Sequence, residues 1–124
     1  MRATATRPPD IRLRLRHAVA VADDRKALDL KVLWLADVSD FTDYFMVCSG
    51  RSARQVQAIS DGIVRELRDQ GVRPQHVEGA RLARWVLLDY GDMVIHVFDV
   101  EARDYYRLER LWADAPDVTA ELRG

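Results

Sequence analysis

The chain has 124 residues, 48% of them hydrophobic and 31% charged, with a formal net charge of −1 and an isoelectric point near 6.3. Its length fits one compact domain, and its charge excludes a protein that binds nucleic acid through bulk basicity, so no dedicated nucleic-acid site is expected. The single cysteine, Cys48, excludes an internal disulfide framework, and no apolar run approaches the roughly 18 residues that a membrane helix needs.

Residues 1–10 are small, polar and Pro-rich, which predicts a flexible lead-in. Arg2, Arg7, Arg12, Arg14 and Arg16 give a faint transit-peptide flavour, which Asp10 and the folded-looking sequence after it oppose. A first helix is predicted over 11–27, carried by Leu15, Ala18, Val19 and Ala22. Its opening residues, Ile11 to Arg16, alternate as a strand would, so the start of the element stays open. Residues 32–38 are apolar and β-branched and predict a strand. Turn chemistry follows in Ser39, Asp40, Thr42 and Asp43, and residues 44–49 predict a second strand. Both runs are nearly continuous in hydrophobicity, as expected of strands covered on both faces. Cys48 lies within the second, which predicts a buried, inert thiol.

The clearest helix begins after Gly50 and Arg51. Ser52 and Gln55 form a capping-box pattern, and Val56, Ile59, Ile63, Val64 and Leu67 make one apolar stripe. Gly71 is placed to end this helix in a left-handed conformation. A short strand is predicted over 75–78. Then comes a hairpin, 84–98, the longest apolar segment. Alternation puts Trp85, Leu87 and Asp89 on one face of its first strand and Val86, Leu88 and Tyr90 on the other. On the return strand Val94, His96 and Phe98 share a face, as do Met93, Ile95 and Val97. Gly91 is expected at positive φ in the turn. Asp99 can cap a last helix over 100–112, and residues 117–124 are expected to form a loose tail. The order implies one α/β (α+β) domain over 11–116, with a mixed sheet of about five strands packed with helices.

Several chemistries are poorly supported. A strand, a turn with Gly50 and Ser52, a helix and then acids is the order of nucleotidyltransferases, whose acids hold Mg²⁺. Such enzymes set two acids at i and i+2 on a strand, whereas Asp89 and Asp92 stand three apart around a turn. His76, His96 and Cys48 have no metal-ligand spacing, and His17 has no neighbour suited to a site. No Gly-x-Ser-x-Gly elbow is present, and Ser49 and Ser52 read as strand-end and cap residues. No catalytic residue, metal or cofactor is therefore expected. Recognition of a protein remains: Trp85 and Tyr90 are residue types enriched at binding hot spots, and Asp89 and Asp92 offer negative charge to a partner. An apolar hairpin serving as a homodimer seam is the competing reading.

Four motifs in order carry a family resemblance: Cys48-Ser49-Gly50-Arg51-Ser52-Ala53-Arg54-Gln55-Val56; Val77-Glu78-Gly79; the run from Trp85 to Phe98 through Asp89-Tyr90-Gly91-Asp92; and Tyr105-Tyr106-Arg107-Leu108-Glu109-Arg110-Leu111-Trp112. Together they resemble the ribosome silencing factor, or Iojap-related, family over about residues 16–116. The resemblance implies a cytoplasmic translational repressor, not an enzyme, with a fold related to nucleotidyltransferases. It implies binding to the large ribosomal subunit through its fourteenth protein, which blocks joining of the small subunit when nutrients are scarce. Carried over by motif, the partner-binding candidates are Trp85, Asp89, Tyr90 and Asp92, with Gly91 shaping the turn and His96 within the same motif. Residues 1–15 match no motif.

Overall fold

The computed structural model describes residues 10–123; apart from Asp10, the expected lead-in lies outside the described residues. Helices α1 (Ile11–Asp24), α2 (Ala53–Asp69), α3 (Val100–Tyr106) and α4 (Thr119–Arg123) accompany strands β1 (Leu28–Trp34), β2 (Tyr44–Gly50), β3 (His76–Glu78), β4 (Trp85–Asp89) and β5 (Met93–Asp99). The strands form one sheet in the order β1-β2-β5-β4-β3. The central β2–β5 pair is parallel and the other pairings are antiparallel. This is the mixed five-stranded sheet that the element order implied, and β2 is buried along its whole length.

The ambiguous start of the chain is helical. Leu15, Ala18, Val19 and Ala22 all point into the core, so burial at helical spacing overrides the local alternation. The helix stops three residues before the expected end. Lys26 takes φ 62°, and Ala27 N–H reaches back to the Ala22 carbonyl at 2.9 Å, a Schellman-type stop made without glycine. α2 follows its sequence signals closely. Ser52 Oγ accepts from Gln55 N–H at 3.1 Å, and Val56, Ile59, Ile63 and Leu67 are fully buried. Gly71, at φ 86°, closes the helix while Val72 N–H bonds the Leu67 carbonyl at 2.9 Å.

α1 and α2 cover one face of the sheet. Their stripes join Val32, Met46, Cys48, Val86, Leu88, Met93, Ile95 and Val97 in the main core. Burial there pushes the Cys48 thiol up to about 12, so it stays protonated at neutral pH. The second face is covered only in part. Leu33, Leu35, Phe45, Val47 and Phe98 pack under Ala102 of α3, Ala115, Leu108 and Trp112. The helix predicted over 100–112 breaks at Arg107, whose φ of 47° ends α3. A 3-10 helix, Leu108–Trp112, then brings the Trp112 ring within 5.2 Å of Phe45.

Two further expectations change. β1 begins and ends about four residues earlier than its apolar run: an irregular start, with Asp29 at φ 49° and a register shift before Lys31, extends its pairing to Leu28, and a turn in which Val38 N–H bonds the Leu35 carbonyl at 2.9 Å follows Trp34. The tail expected to be loose is docked. Val118 and Leu122 are buried, and α4 rests on α1 and β1. Trp34 N–H bonds the Pro116 carbonyl, Val118 N–H bonds the Val32 carbonyl, and Val32 N–H bonds Thr119 Oγ1. Arg123 reaches Asp23 with two bonds of 3.0 and 2.9 Å. The physical reason is the outer edge of β1: an edge strand leaves backbone groups unpaired, and the tail pairs them.

Candidate functional site

The hairpin is built as its alternation requires. Val86, Leu88 and Tyr90 enter the main core, whereas Trp85, Leu87 and Asp89 lie half-buried on the second face. Across the ladder, Trp85 pairs with Phe98, Leu87 with His96 and Asp89 with Val94. Gly91 has φ 87°, so the turn needs glycine for its conformation; a Cβ there would meet only the mobile end of the exposed Gln75 side chain, at 2.7 Å. The Gly91 N–H donates to Asp89 Oδ1 at 2.8 Å, which ties one of the two acids into the turn.

Asp92 is a structural pin. Arg14, its side chain 6% exposed, donates to both Asp92 carboxylate oxygens, at 3.0 and 2.5 Å. The Asp92 carbonyl also accepts from Asp43 and Tyr44 N–H. The hairpin tip is thereby fastened to α1 and to the start of β2. The charge expected to meet a partner is already engaged inside the protein, although Asp92 stays 39% exposed.

Tyr90 corrects the sequence expectation. It is buried in the core, so its ring is not offered to a partner. Its hydroxyl has no hydrogen-bond partner among the described residues, and burial raises its pKa to about 12. The alternation that set Tyr90 beside Val86 and Leu88 already carried this outcome.

Trp85 and His96 work together. The indole Nε1–H donates to His96 Nδ1 at 2.9 Å. Burial lowers the His96 pKa to about 4, so the imidazole is neutral at pH 7 and accepts at Nδ1. The Trp85 ring stacks on Phe98 at 5.0 Å and leans on Tyr106 at 4.8 Å. Phe45 stands 4.8 Å from His96. Trp85 is thus both the edge of the second core and part of the surface. Beside it the incomplete cover of the sheet leaves Leu87, Asp89 and Val94 half-buried, and Tyr106 is half exposed and Tyr105 more so. These apolar and aromatic neighbours were not among the predicted contacts. Tyr105 and Tyr106, two successive aromatics at the end of a capped helix, were the available signal.

The nucleotidyltransferase constellation does not assemble. Gly50 pairs with Asp99 at one end of the β2–β5 ladder, and Tyr44 pairs with Met93 at the other. At about 3.3 Å per residue, roughly 20 Å separates the turn at Gly50 and Ser52 from Asp92. Among the described residues no group of three or more His, Cys, Asp or Glu side chains is placed to hold a metal ion. None of the helices among them is long and apolar enough to cross a membrane.

A family model described as ribosomal silencing factor during starvation matches residues 8–123. The chain belongs to the ribosomal silencing factor family. A ribosomal silencing factor of Halalkalibacterium halodurans is 44% identical over 110 residues, covering 89% of this chain and 92% of that protein. One from Bacillus subtilis is 45% identical over 102 residues, covering 82% and 86%. The chloroplastic Iojap protein of Arabidopsis thaliana is 33% identical over 98 residues, 79% of this chain and 41% of its own length. A crystal structure of a Chromobacterium violaceum protein superposes with a TM-score of 0.82 at 32% identity, covering 85% of this chain and 88% of that one. The four motifs therefore mark a ribosomal silencing factor, a protein of translation regulation, and the Iojap relationship holds as well.

Proposed function

We propose that this ribosomal silencing factor acts in the cytoplasm as a translational repressor. It binds the large ribosomal subunit through the subunit's fourteenth protein and covers part of the surface on which the small subunit docks. No chemistry is needed, because a docked domain blocks joining sterically. A standard protein interface buries about 1,600 Å² in total, within reach of a domain of this size.

The observation that carries the reading is the incompletely covered second face of the sheet. There a half-buried Trp85, braced by Phe98 and His96, stands between Tyr106 on one side and Leu87 and Asp89 on the other. Aromatic anchors with one acid at the rim suit a partner with an apolar pocket and basic side chains. In this proposal Trp85 and Asp89 make the contact. Gly91, Tyr90, Asp92 and His96 hold the hairpin and the indole in place. A near-neutral body keeps the factor from adhering to RNA indiscriminately. The exposed Tyr105 and Tyr106 also favour pairing of two free copies through this face, in competition with the ribosome.

The test is co-sedimentation with purified large subunits, scored together with subunit joining. Asp89→Lys combined with Leu87→Asp changes two half-buried side chains on the second face. It reverses a rim charge and sets a carboxylate at an apolar contact, and it should lower binding by at least about tenfold, which is about 1.4 kcal/mol. A folded double variant that co-sediments and blocks joining as the unaltered protein does would remove this face from the proposal.

A further inference from the structure

A second feature lies at the other end of the sheet from the hairpin tip. The parallel strands β2 and β5 end side by side, and each runs directly into a helix, α2 or α3. The space outside the carboxyl ends of parallel strands is where open α/β sheets hold their ligands. Here it is a cleft of about 1110 Å³ lined by six basic and four acidic residues. Most of the acids are already engaged: Asp99 and Glu101 meet Arg84 at 3.1 and 3.4 Å, and Asp104 meets Arg107 at 3.2 Å. Arg103, 7% exposed, lies in the wall and donates to Ser49 Oγ at 3.1 Å. Arg51 and Arg110 line the same cleft, and neither forms an ion pair with an acid among the described residues. A chain with a net charge of −1 thus carries a concave concentration of guanidinium groups, the side chain best suited to phosphate oxygens.

The cleft has an aromatic annexe. Arg84 also borders a cavity of about 320 Å³ formed with Trp85, Ala102, Tyr105 and Tyr106. Tyr105 is 82% exposed and stands edge-on to Tyr106, with ring centres 5.0 Å apart. Exposed aromatic faces beside a cluster of arginines supply the two things a nucleotide needs, a stacking surface for its base and cations for its phosphates.

We propose that this cleft is a binding site for a nucleoside polyphosphate, with the base against Tyr105 and Tyr106 and the phosphates between Arg51 and Arg110. The site is one of binding alone. Its phosphate end stands apart from the docking proposal, because neither Arg51 nor Arg110 is among the contacts proposed there, whereas its base end shares Trp85, Tyr105 and Tyr106 with that face.

Calorimetric titration of the full chain with ATP, GTP, inorganic pyrophosphate and adenosine tests it, with tryptophan fluorescence as a second readout because Trp85 lines the annexe. Saturable binding of a nucleoside triphosphate, tighter than pyrophosphate and much tighter than adenosine, is expected. Arg51→Glu with Arg110→Glu should weaken it by at least about tenfold without changing the melting temperature, since both charge-assisted contacts are reversed. Tyr105→Ala should weaken the nucleotide and leave pyrophosphate unchanged. The proposal is overturned if none of the triphosphates binds saturably, if pyrophosphate binds as tightly as they do, or if the double variant keeps full affinity. It is also overturned if a short single-stranded RNA binds and triphosphates do not displace it.

Discussion

Leu122→Ala is the sharpest test of the docked C-terminal segment. Leu122 is 2% exposed and belongs to the main core, although it lies within a five-residue helix among mostly polar neighbours. Truncating a buried leucine costs about 2–5 kcal/mol, the larger values coming from sites that cannot collapse. A short terminal helix can shift inward, so the lower end applies, about 2–3 kcal/mol. For a domain of this length that corresponds to a fall in melting temperature of roughly 7–12 °C. In urea it corresponds to a midpoint lowered by about 1 M. Equilibrium unfolding followed by fluorescence of Trp34, Trp85 and Trp112 measures it directly. Glu121→Ala is the control: it removes an exposed pair with Arg12, 2.8 Å long, and should change stability by less than about 0.5 kcal/mol. If Leu122→Ala shifted the midpoint no more than Glu121→Ala does, the segment would be undocked in solution and the account of the β1 edge would fail.

Three other outcomes are expected. Asp92→Asn keeps the shape of the hairpin tip but removes the charge that Arg14 holds, and it should destabilise by about 1.5–2.5 kcal/mol in urea unfolding, discounted for the 39% exposure of Asp92; a change under about 0.5 kcal/mol would show that the pin is cosmetic. His96 has a folded pKa of about 4 against 6.5 unfolded, so the unfolded chain takes up the proton first and stability is lost as pH falls from about 6.5 towards 4. That loss amounts to about 2 kcal/mol between pH 7 and 5, and His96→Gln should flatten this limb of the stability–pH curve; an unchanged slope would refute the buried neutral imidazole. Gly79→Ala places a Cβ 1.9 Å from the Trp85 carbonyl oxygen at φ 81°, and a loss of at least about 2 kcal/mol in the same assay is expected, whereas a near-neutral effect would contradict this backbone approach.

Much of this architecture is written in local cues. Ser52, Gln55 and Gly71 bracket α2 because caps act over three or four residues, and the two-residue period of the hairpin sorts its side chains onto the correct faces. What the sequence conceals depends on distance along the chain. Arg14 meets Asp92 across 78 positions, so an acid that reads as free is a fastening. Thr119 meets Val32 across 87, so a polar, Pro-interrupted tail becomes part of the fold. Helix stops made by Lys26 and Arg107 lack the glycine that would announce them. At the site, Trp85 and Asp89 lie where alternation puts them, and Tyr90 lies where the same alternation argues against a surface role. Tyr105 and Tyr106 have a local signal in their adjacency, but the surface residues Leu87 and Val94 emerge only once the incomplete cover of the second face is known, a property of helix placement that no single segment encodes.

The sealing of β1 has a kinetic consequence. The segment that seals it makes some of the most distant contacts along the chain: Thr119 with Val32 of β1, 87 positions apart, and, where α4 meets α1, Glu121 with Arg12, 109 apart, and Arg123 with Asp23, 100 apart. Closing so long a loop costs entropy before any contact repays it, so this seam is expected to form late, after the central strands have paired. Until then the outer edge of β1 lies open, and the half-made protein exposes a hydrogen-bonding template to its neighbours. Weakening the seam should therefore act mainly by hastening unfolding, and the state it releases is the one most prone to stick to copies of itself.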